Sequence, residues 1–210
     1  MKKLLLLSVI LALFTIISKS QDTVSVSQKN KEYRSLLGNN HDGGFYGAFN
    51  IGYSKIDDKD AIVIGGRFSW VINHGLAIGF GGAGFVNELQ NVQINNQVFL
   101  TGGYGGIYIE PIVMPNFPVH LSFPVLLGAG GISYVASDVN WNNFIEDTEA
   151  FLLVEPSAEL ELNLTRFFRM SFGASYRFPT PFTVGISGST ATAESLKGFT
   201  YTMTFKFGRF

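Results

Sequence analysis

The feature that most constrains this chain is a strict two-residue alternation of apolar and polar side chains near its C-terminus. From Phe168 to Phe178 every second residue is apolar, and the residues between them are arginine, serine or glycine. The same alternation runs from Phe199 to Phe207, where the polar positions hold threonine and lysine. A period of two is typical of β-strands with one apolar face, because an amphipathic helix repeats every 3.6 residues. This part of the chain is therefore predicted to be β.

Related alternation extends over most of the chain and predicts eight strands. They are residues 43–54, 60–72, 75–87, 97–110, 117–136, 149–163, 167–178 and 197–210. Connections after the even-numbered strands are short, whereas those over 88–96, 137–148 and 179–196 are long. Short turns at one end and long loops at the other are typical of barrels in the bacterial outer membrane. The sequence thus predicts an all-β fold, an up-and-down antiparallel transmembrane β-barrel of eight strands.

Composition indicates which strand face points outward. Charged residues are 15% of the chain, against about 25% in ordinary soluble domains. A soluble eight-stranded barrel of lipocalin type would place the apolar face inside. Its outer face would then be mainly Gly, Ser and Thr, with too few charges for a solvated surface. No apolar run after residue 20 is long enough for a helical span, so strands are the remaining way to cross a bilayer. We therefore expect the apolar face to contact lipid.

The N-terminus predicts export. Two lysines at positions 2 and 3 precede an apolar run over residues 4–17, and serines follow at positions 18 and 20. This order is typical of a cleaved secretory signal peptide. Acidic residues outnumber basic ones and no basic run is present, which argues against nucleic acid as a partner. The predicted domains are a signal peptide over 1–20, a flexible periplasmic N-terminal lead over 21–42 and the transmembrane β-barrel over 43–210.

In architecture, residues 43–210 resemble the small outer-membrane β-barrels of Gram-negative bacteria, the OmpA-membrane-domain and OmpX-like class. Such barrels end in an aromatic-alternating strand with a terminal Phe that the barrel-insertion machinery reads. The matching residues of this chain are Tyr201, Met203, Phe205, Phe207 and Phe210. Phe210 differs in phase, since it shares the parity of Lys206; either the strand kinks at Gly208 or recognition uses Phe207. The resemblance implies a monomer in the cell outer membrane, in contact with outer-membrane lipid and lipopolysaccharide.

Charged residues on the polar face predict what fills the lumen. An ion inside a barrel surrounded by lipid is costly unless it is paired and hydrogen-bonded. We therefore expect an ion-pair network that plugs the lumen, formed by Arg67, Glu155, Glu159, Glu161, Arg169, Arg177 and Lys206. The interior of eight strands is just filled by side chains, which favours a plug over a pore. A narrow porin-like channel for small solutes is the alternative.

The glycine-rich stretch LAIGFGGAGFV contains Gly79-x-Gly81-x-x-Gly84, the spacing of a dinucleotide-binding fingerprint. That motif requires a helix after the last glycine and an acidic residue about 20 positions further on. Here a polar loop follows, and residues 100–108 contain no acidic residue. The small residues on one face of this segment instead predict a lumen wall that leaves room for long Glu and Arg side chains. Its members are Ala77, Gly79, Gly81 and Ala83.

Two motifs point to other chemistry. His120-Leu121-Ser122 resembles the H-x-S element of lipid A deacylase barrels, and a base-activated serine could act as a nucleophile. However, His120 is predicted near the periplasmic end, away from an outer-leaflet substrate, so no catalytic residues are predicted. The segment 138–149 matches the twelve-position calcium-loop spacing through Asp138, Asn140, Asn142 and Glu149. An Asn- and Asp-rich solvated loop without an ion is the alternative interpretation.

Taken together, these features predict a non-enzymatic outer-membrane protein without a cofactor, apart from calcium at the 138–149 loop. Its expected role is envelope integrity, or adhesion or ligand contact through its extracellular loops. A narrow channel and a lipid-modifying outer-membrane enzyme are the alternatives.

Overall fold

The computed structural model describes residues 43–87, 96–138, 143–186 and 189–210. The predicted signal peptide and lead lie outside these residues. The strands are β1 (Gly44–Ile56), β2 (Lys59–Ile72), β3 (Leu76–Asn87), β4 (Asn96–Val113), β5 (Val119–Ser122), β6 (Val125–Asp138), β7 (Asn143–Asn163), β8 (Phe168–Pro179), β9 (Thr183–Ile186), β10 (Ser189–Thr192) and β11 (Gly198–Arg209), and the helix is α1 (Ala193–Leu196). Within the described parts of the chain, no helix has the length and hydropathy that a membrane span requires.

The strands close into an antiparallel barrel in the ring order β1-β2-β3-β4-β6-β7-β8-β11, and β11 pairs back onto β1. β5 lies between β4 and β7 in the same register as β6, so β5 and β6 together occupy one position of the ring. They are separated at Phe123 and Pro124, because proline has no N–H to donate to the ladder. The predicted eight-stranded barrel is confirmed.

The two ends of the barrel differ in how their strands are joined. The terminal end, where β1 begins and β11 ends, carries the short connections 73–75, 114–118 and 164–167. The loop end carries the β1–β2 turn at Asp57 and Asp58, and also the β9–β10 hairpin and α1. Both aspartates have positive φ (55° and 58°), the conformation that a two-residue type I′ hairpin turn requires.

Side chains alternate across the barrel wall as predicted from the sequence. Outward residues such as Trp70, Phe80 and Leu152 are about 60% exposed. Inward residues such as Arg169, Ser171 and Arg177 are buried. The apolar face therefore forms the outer surface, and the polar face lines the lumen of the terminal half.

The loop end of the lumen is apolar, which the sequence did not predict. Residues 179–196 were expected to be a long loop, but they form β9, β10 and α1. Apolar side chains of this segment are buried against inward residues of the barrel, including Phe85, Leu100 and Ile132. We call residues 180–197 the cap. Its buried apolar residues are Phe182, Val184, Ala191 and Leu196.

Candidate functional site

The terminal half of the lumen is filled by a compact group of ions around Lys206. Its ammonium lies 2.6 Å from Oε1 of Glu110 and 3.2 Å from Oε2 of Glu159, and it also donates to Glu161. All four residues are at most 3% exposed. The alternation of β11 places Lys206 inside, since Phe205 and Phe207 face outward on either side of it.

Arg67 on β2 forms the second centre of this group. Its two terminal nitrogens donate to the two carboxylate oxygens of Glu159, at 2.8 and 2.9 Å. Such a two-pronged arginine–carboxylate pair is the strongest common form of charged hydrogen bond. Nε of Arg67 donates to the Tyr46 hydroxyl at 3.1 Å, and that hydroxyl donates to Glu110.

The third centre lies near the terminal mouth, around Glu161. Nε2 of His120 lies 3.2 Å and NH1 of Arg169 lies 3.6 Å from Oε2 of Glu161. The Ser122 hydroxyl donates to the other carboxylate oxygen. Oε1 of Glu161 therefore accepts hydrogen bonds from Ser122 and Lys206, whereas Oε2 has only the ionic contacts with His120 and Arg169.

The three centres form one charge-balanced group, which we call the lumen cluster. It contains three carboxylates and three cations: Glu110, Glu159, Glu161, Arg67, Arg169 and Lys206. Oxygens of the three carboxylates lie within 4.8 Å of one another, close enough to share a cation. The ammonium of Lys206 contacts all three and supplies that cation from the chain itself.

The structure differs from the predicted network at Glu155 and Arg177. Both are buried in the lumen, but both lie closer to the loop end than the lumen cluster. Glu155 accepts a 2.6 Å hydrogen bond from the Ser175 hydroxyl. Arg177 donates to the backbone oxygen of Leu196 at 2.9 Å and to the Ser54 hydroxyl at 2.6 Å. Arg177 thus ties the barrel wall to the cap, because the carbonyl of α1 reaches it where a glutamate was expected.

Glu110 belongs to the cluster but was missed in the sequence. Large residues stand on both faces of β4, and Glu110 directly precedes Pro111 at what was predicted to be the strand end. In the structure β4 continues to Val113, and Glu110 pairs with Ala77 of the lumen wall. The sequence feature that could have identified Glu110 is its spacing. It lies an even number of residues from Tyr104 and Tyr108, and therefore on the same face of β4.

The predicted small-residue wall lines the lumen along β3. A Cβ built on Gly81 would lie 2.3 Å from the Gly66 carbonyl oxygen and 2.6 Å from Cβ of Arg67. A Cβ on Gly79 would lie 1.9 Å from the Phe68 oxygen. The space beside the wall is therefore taken by Arg67 of the neighbouring strand, which reaches across the lumen to Glu159.

Little open space remains between the ionic and apolar layers of the lumen. A cavity of about 30 Å³ lies between them, bordered by Asn50, Arg67, Tyr108 and Glu155 among others. This volume corresponds to about one water molecule. The lumen is therefore closely packed at the level where the two layers meet.

The cap is fastened to the barrel at three points. The backbone N–H of Asp57 donates to the Ser195 oxygen at 2.8 Å, and the Ser195 hydroxyl donates to the Asp57 carboxylate at 2.9 Å. Arg177 holds the end of α1, as described above. At the other side of the cap, Thr180 and Leu152 exchange two hydrogen bonds of 2.8 and 2.9 Å.

The residues of the predicted insertion signal divide between two environments. Tyr201, Met203, Phe205 and Phe207 lie on the outer face of β11. Phe210 lies at the terminal mouth of the lumen instead. Its ring stacks on Tyr46 with centroids 5.5 Å apart, and the Arg169 guanidinium lies 3.9 Å from its centroid. The phase difference in the sequence thus corresponds to an inward side chain.

The His120 and Ser122 side chains both contact Glu161, as described above, and each is buried in the lumen. The serine proton is donated to the carboxylate. The arrangement therefore differs from a serine activated by a histidine.

The structure also differs from the predicted calcium loop. Asn140 and Asn142 lie outside the described residues, but residues 143–149 belong to β7. Glu149 pairs with Ile132, six residues before Asp138 on β6. At about 3.3 Å per strand residue, Asp138 and Glu149 are separated by about 20 Å along the hairpin. Calcium binding by this segment stays a prediction.

Comparisons with known proteins concern the fold. No protein-family model matches the chain, and no curated protein matches it. A major outer membrane protein from Thermus thermophilus is similar with a TM-score of 0.52 and 10% identity, over 80% of this chain and 100% of that chain. Neisserial surface protein A is similar with a TM-score of 0.50 and 8% identity, over 79% and 96% of the two chains. The chain has the fold of a small eight-stranded outer-membrane β-barrel.

Proposed function

We propose that this chain is a monomeric outer-membrane protein with a sealed lumen, which acts through its lipid-facing wall and its loop end. The fold is that of solved outer-membrane barrels, and the sequence begins with the pattern of an export signal. Its partners are outer-membrane lipid and lipopolysaccharide, and the barrel-insertion machinery during assembly. Its role is non-enzymatic and serves envelope integrity or contact with ligands through the loop end.

The distribution of exposed aromatic residues supports placement in a bilayer. Aromatic rings gather at the two levels where a membrane meets water. The terminal-end ring of exposed aromatic residues includes Phe45, Trp70, Phe117, Phe167 and Phe207. The loop-end ring includes Tyr53, Phe178, Phe199 and Tyr201. Between them the outer wall carries exposed Ile51, Ile64 and Ile107, together with the aromatic side chains of Phe49 and Phe172.

The observation that carries the proposal is the double closure of the lumen. The lumen cluster fills the terminal half, and the cap packs its apolar side chains into the loop half. An ion moving through would have to displace Lys206 from three carboxylates and then cross an apolar layer, where a bare charge is costly. This arrangement favours a sealed barrel over a channel.

Conductance measurements in planar bilayers test this proposal. Purified, heat-modifiable protein is expected to add no discrete current steps under conditions in which a trimeric porin gives large ones. Steps from the wild type that persist across preparations would support the channel alternative. Recovery of the protein from the periplasm in soluble form would overturn the membrane placement.

The contacts of His120 and Ser122 support a non-enzymatic role. Each side chain contacts Glu161 inside the lumen, so neither faces lipid. Mass analysis of membrane lipid from cells with and without the protein tests this point. Identical lipid A species are expected, and a protein-dependent loss of an acyl chain would favour the enzyme alternative.

A further inference from the structure

The junction of β1 and β11 opens into a cleft at the loop end. The two strands are paired up to Ser54 and Thr200. Beyond this point β1 continues toward its turn, whereas the chain before β11 turns into α1. The cleft between them has a volume of about 470 Å³. Its floor consists of three aromatic side chains that are each about half exposed: Tyr53, Phe199 and Tyr201.

The rim of the cleft carries both signs of charge. Lys55, Asp58, Glu194 and Lys197 line it. Lys197 lies 3.0 Å from Glu194, so these two form an exposed pair. Among the described residues, no carboxylate lies within salt-bridge distance of Lys55. Lys55 is therefore the cation at this rim that is open to an outside anion.

An apolar groove runs from the cleft down the outer wall of the barrel. It has a volume of about 520 Å³ and is lined by Ile51, Ile62, Phe172 and Met203. It shares Tyr53 and Tyr201 with the cleft, so the two spaces are continuous. Gly52 and Gly173 also line the groove.

We propose that the cleft and groove bind one glycolipid of the outer leaflet, with a phosphorylated sugar head and acyl chains, the chemistry of the lipopolysaccharide anchor. This inference rests on the proposed location in the outer membrane. The phosphate is bound at Lys55, and the sugar ring packs on the aromatic floor. Carboxylates of Asp58 and Glu194 accept hydrogen bonds from sugar hydroxyls, and an acyl chain lies in the groove.

The charge pattern distinguishes this occupant from a glycerophospholipid. A phosphoglycerol head carries one anion and few hydroxyls, so it offers few donors to the Asp58 carboxylate at the rim or to Glu194 beside Lys197. A sugar head carries several hydroxyls beside its phosphate, so both signs of charge at the rim find partners. The aromatic floor favours the same choice, since a sugar ring offers a flat apolar face to it.

Binding to purified, folded protein in detergent micelles tests the site. Native mass spectrometry would follow the bound fraction during titration with lipopolysaccharide, with phosphatidylglycerol as competitor. Lys55→Gln is expected to weaken binding about fivefold, the size expected for one lysine near an anionic lipid surface. Phe199→Ala, which removes part of the floor, is expected to weaken it as well. Phosphatidylglycerol in equal amount should not displace the glycolipid.

Matched controls lie outside the cleft. Lys59→Gln changes a lysine of the same rim that does not line the cleft, and Phe167→Ala changes an aromatic residue of the opposite ring. Both should bind as the wild type does, and all four variants must keep heat-modifiable mobility. Equal binding by the wild type, Lys55→Gln and Phe199→Ala would overturn the site, as would displacement by phosphatidylglycerol. A protein that fractionates with the outer membrane but fails these tests refutes only this inference, whereas a soluble protein refutes the proposed function.

Discussion

The ammonium of Lys206 on β11 donates a 2.6 Å hydrogen bond to Oε1 of Glu110 on β4. These two strands lie opposite each other in the ring, four positions apart in either direction. The contact therefore spans the barrel and joins walls that share no backbone hydrogen bonds. A cation in this position also offsets the repulsion between three neighbouring carboxylates.

Replacing Lys206 with methionine is expected to be severely destabilising. Lys206→Met leaves three buried carboxylates with two arginines, and an unpaired buried charge costs about 3–5 kcal/mol. The midpoint of urea unfolding in lipid vesicles measures the loss. Because the three carboxylates then resemble a site for a divalent cation, refolding with Mg²⁺ should recover part of the stability. Lys197→Met, which removes an exposed lysine, should leave the midpoint nearly unchanged; an equal loss in the two variants would contradict this account.

The pair formed by Arg67 and Glu159 allows a double-mutant test of the lumen cluster. Glu159→Gln and Arg67→Met each leave one buried charge without its main partner. Each should therefore lower the free energy of unfolding several times more than the loss of an exposed ion pair does. The double variant keeps two carboxylates and two cations and should be more stable than either single variant. Unfolding midpoints of the four proteins give the coupling energy. Additive losses would show that the two side chains act independently.

Alternation predicted the barrel because a closed sheet must place every second residue outside. Parity alone was therefore enough to place Arg67, Glu159 and Lys206 in the lumen. It could not assign Glu110, since β4 carries large residues on both faces. Nor could it pair charges across the ring, since the partner of Glu159 on β7 is Arg67 of β2. Such partners depend on how the sheet closes, which sequence spacing does not contain.

The cap was missed for a different reason. β9 and β10 contain four residues each, too few for a period to be recognised. The loop-end lumen is filled because apolar side chains of these short segments pack against inward apolar residues of the barrel such as Phe85 and Ile132. The sequence predicted the ions of one layer but could not predict the other layer that closes the same lumen.

Gly81→Ala is expected to impair folding, although it adds only one methyl group. The added carbon would lie 2.3 Å from the Gly66 oxygen, so the paired strands must move apart. Overpacking of this kind costs about 1–3 kcal/mol. Gly84→Ala is the matched control, since its added carbon meets only the Gly102 oxygen at 3.7 Å. Heat-modifiable gel mobility after refolding distinguishes the two; equal folding yields would refute the close-packed wall.

Loosening the cap should expose the segment before β11 to protease. Leu196→Asp places a charge in the apolar layer, and Ser195→Ala removes the hydroxyl that binds Asp57. Trypsin is expected to cleave after Lys197 fastest in Leu196→Asp, more slowly in Ser195→Ala, and slowest in the wild type. Cleavage after Arg166, at the terminal end, serves as the internal control and should not differ. If all three proteins are cut after Lys197 at one rate, the cap is not held by these contacts.

The two C-terminal phenylalanines are expected to differ in what they support. Phe210→Ala removes a ring that stacks on Tyr46 and covers Arg169, so the loss should appear as lower stability of the folded barrel. Phe207→Ala removes one exposed phenyl group from the terminal-end ring of exposed aromatic residues and leaves the lumen intact. Its effect should appear in assembly, as a smaller fraction of protein in the outer membrane. Urea unfolding of purified protein and quantitative membrane fractionation separate the two effects. The opposite result would be a smaller membrane fraction for Phe210→Ala and a lower stability for Phe207→Ala. That result would show that the terminal residue is read in assembly before it enters the lumen.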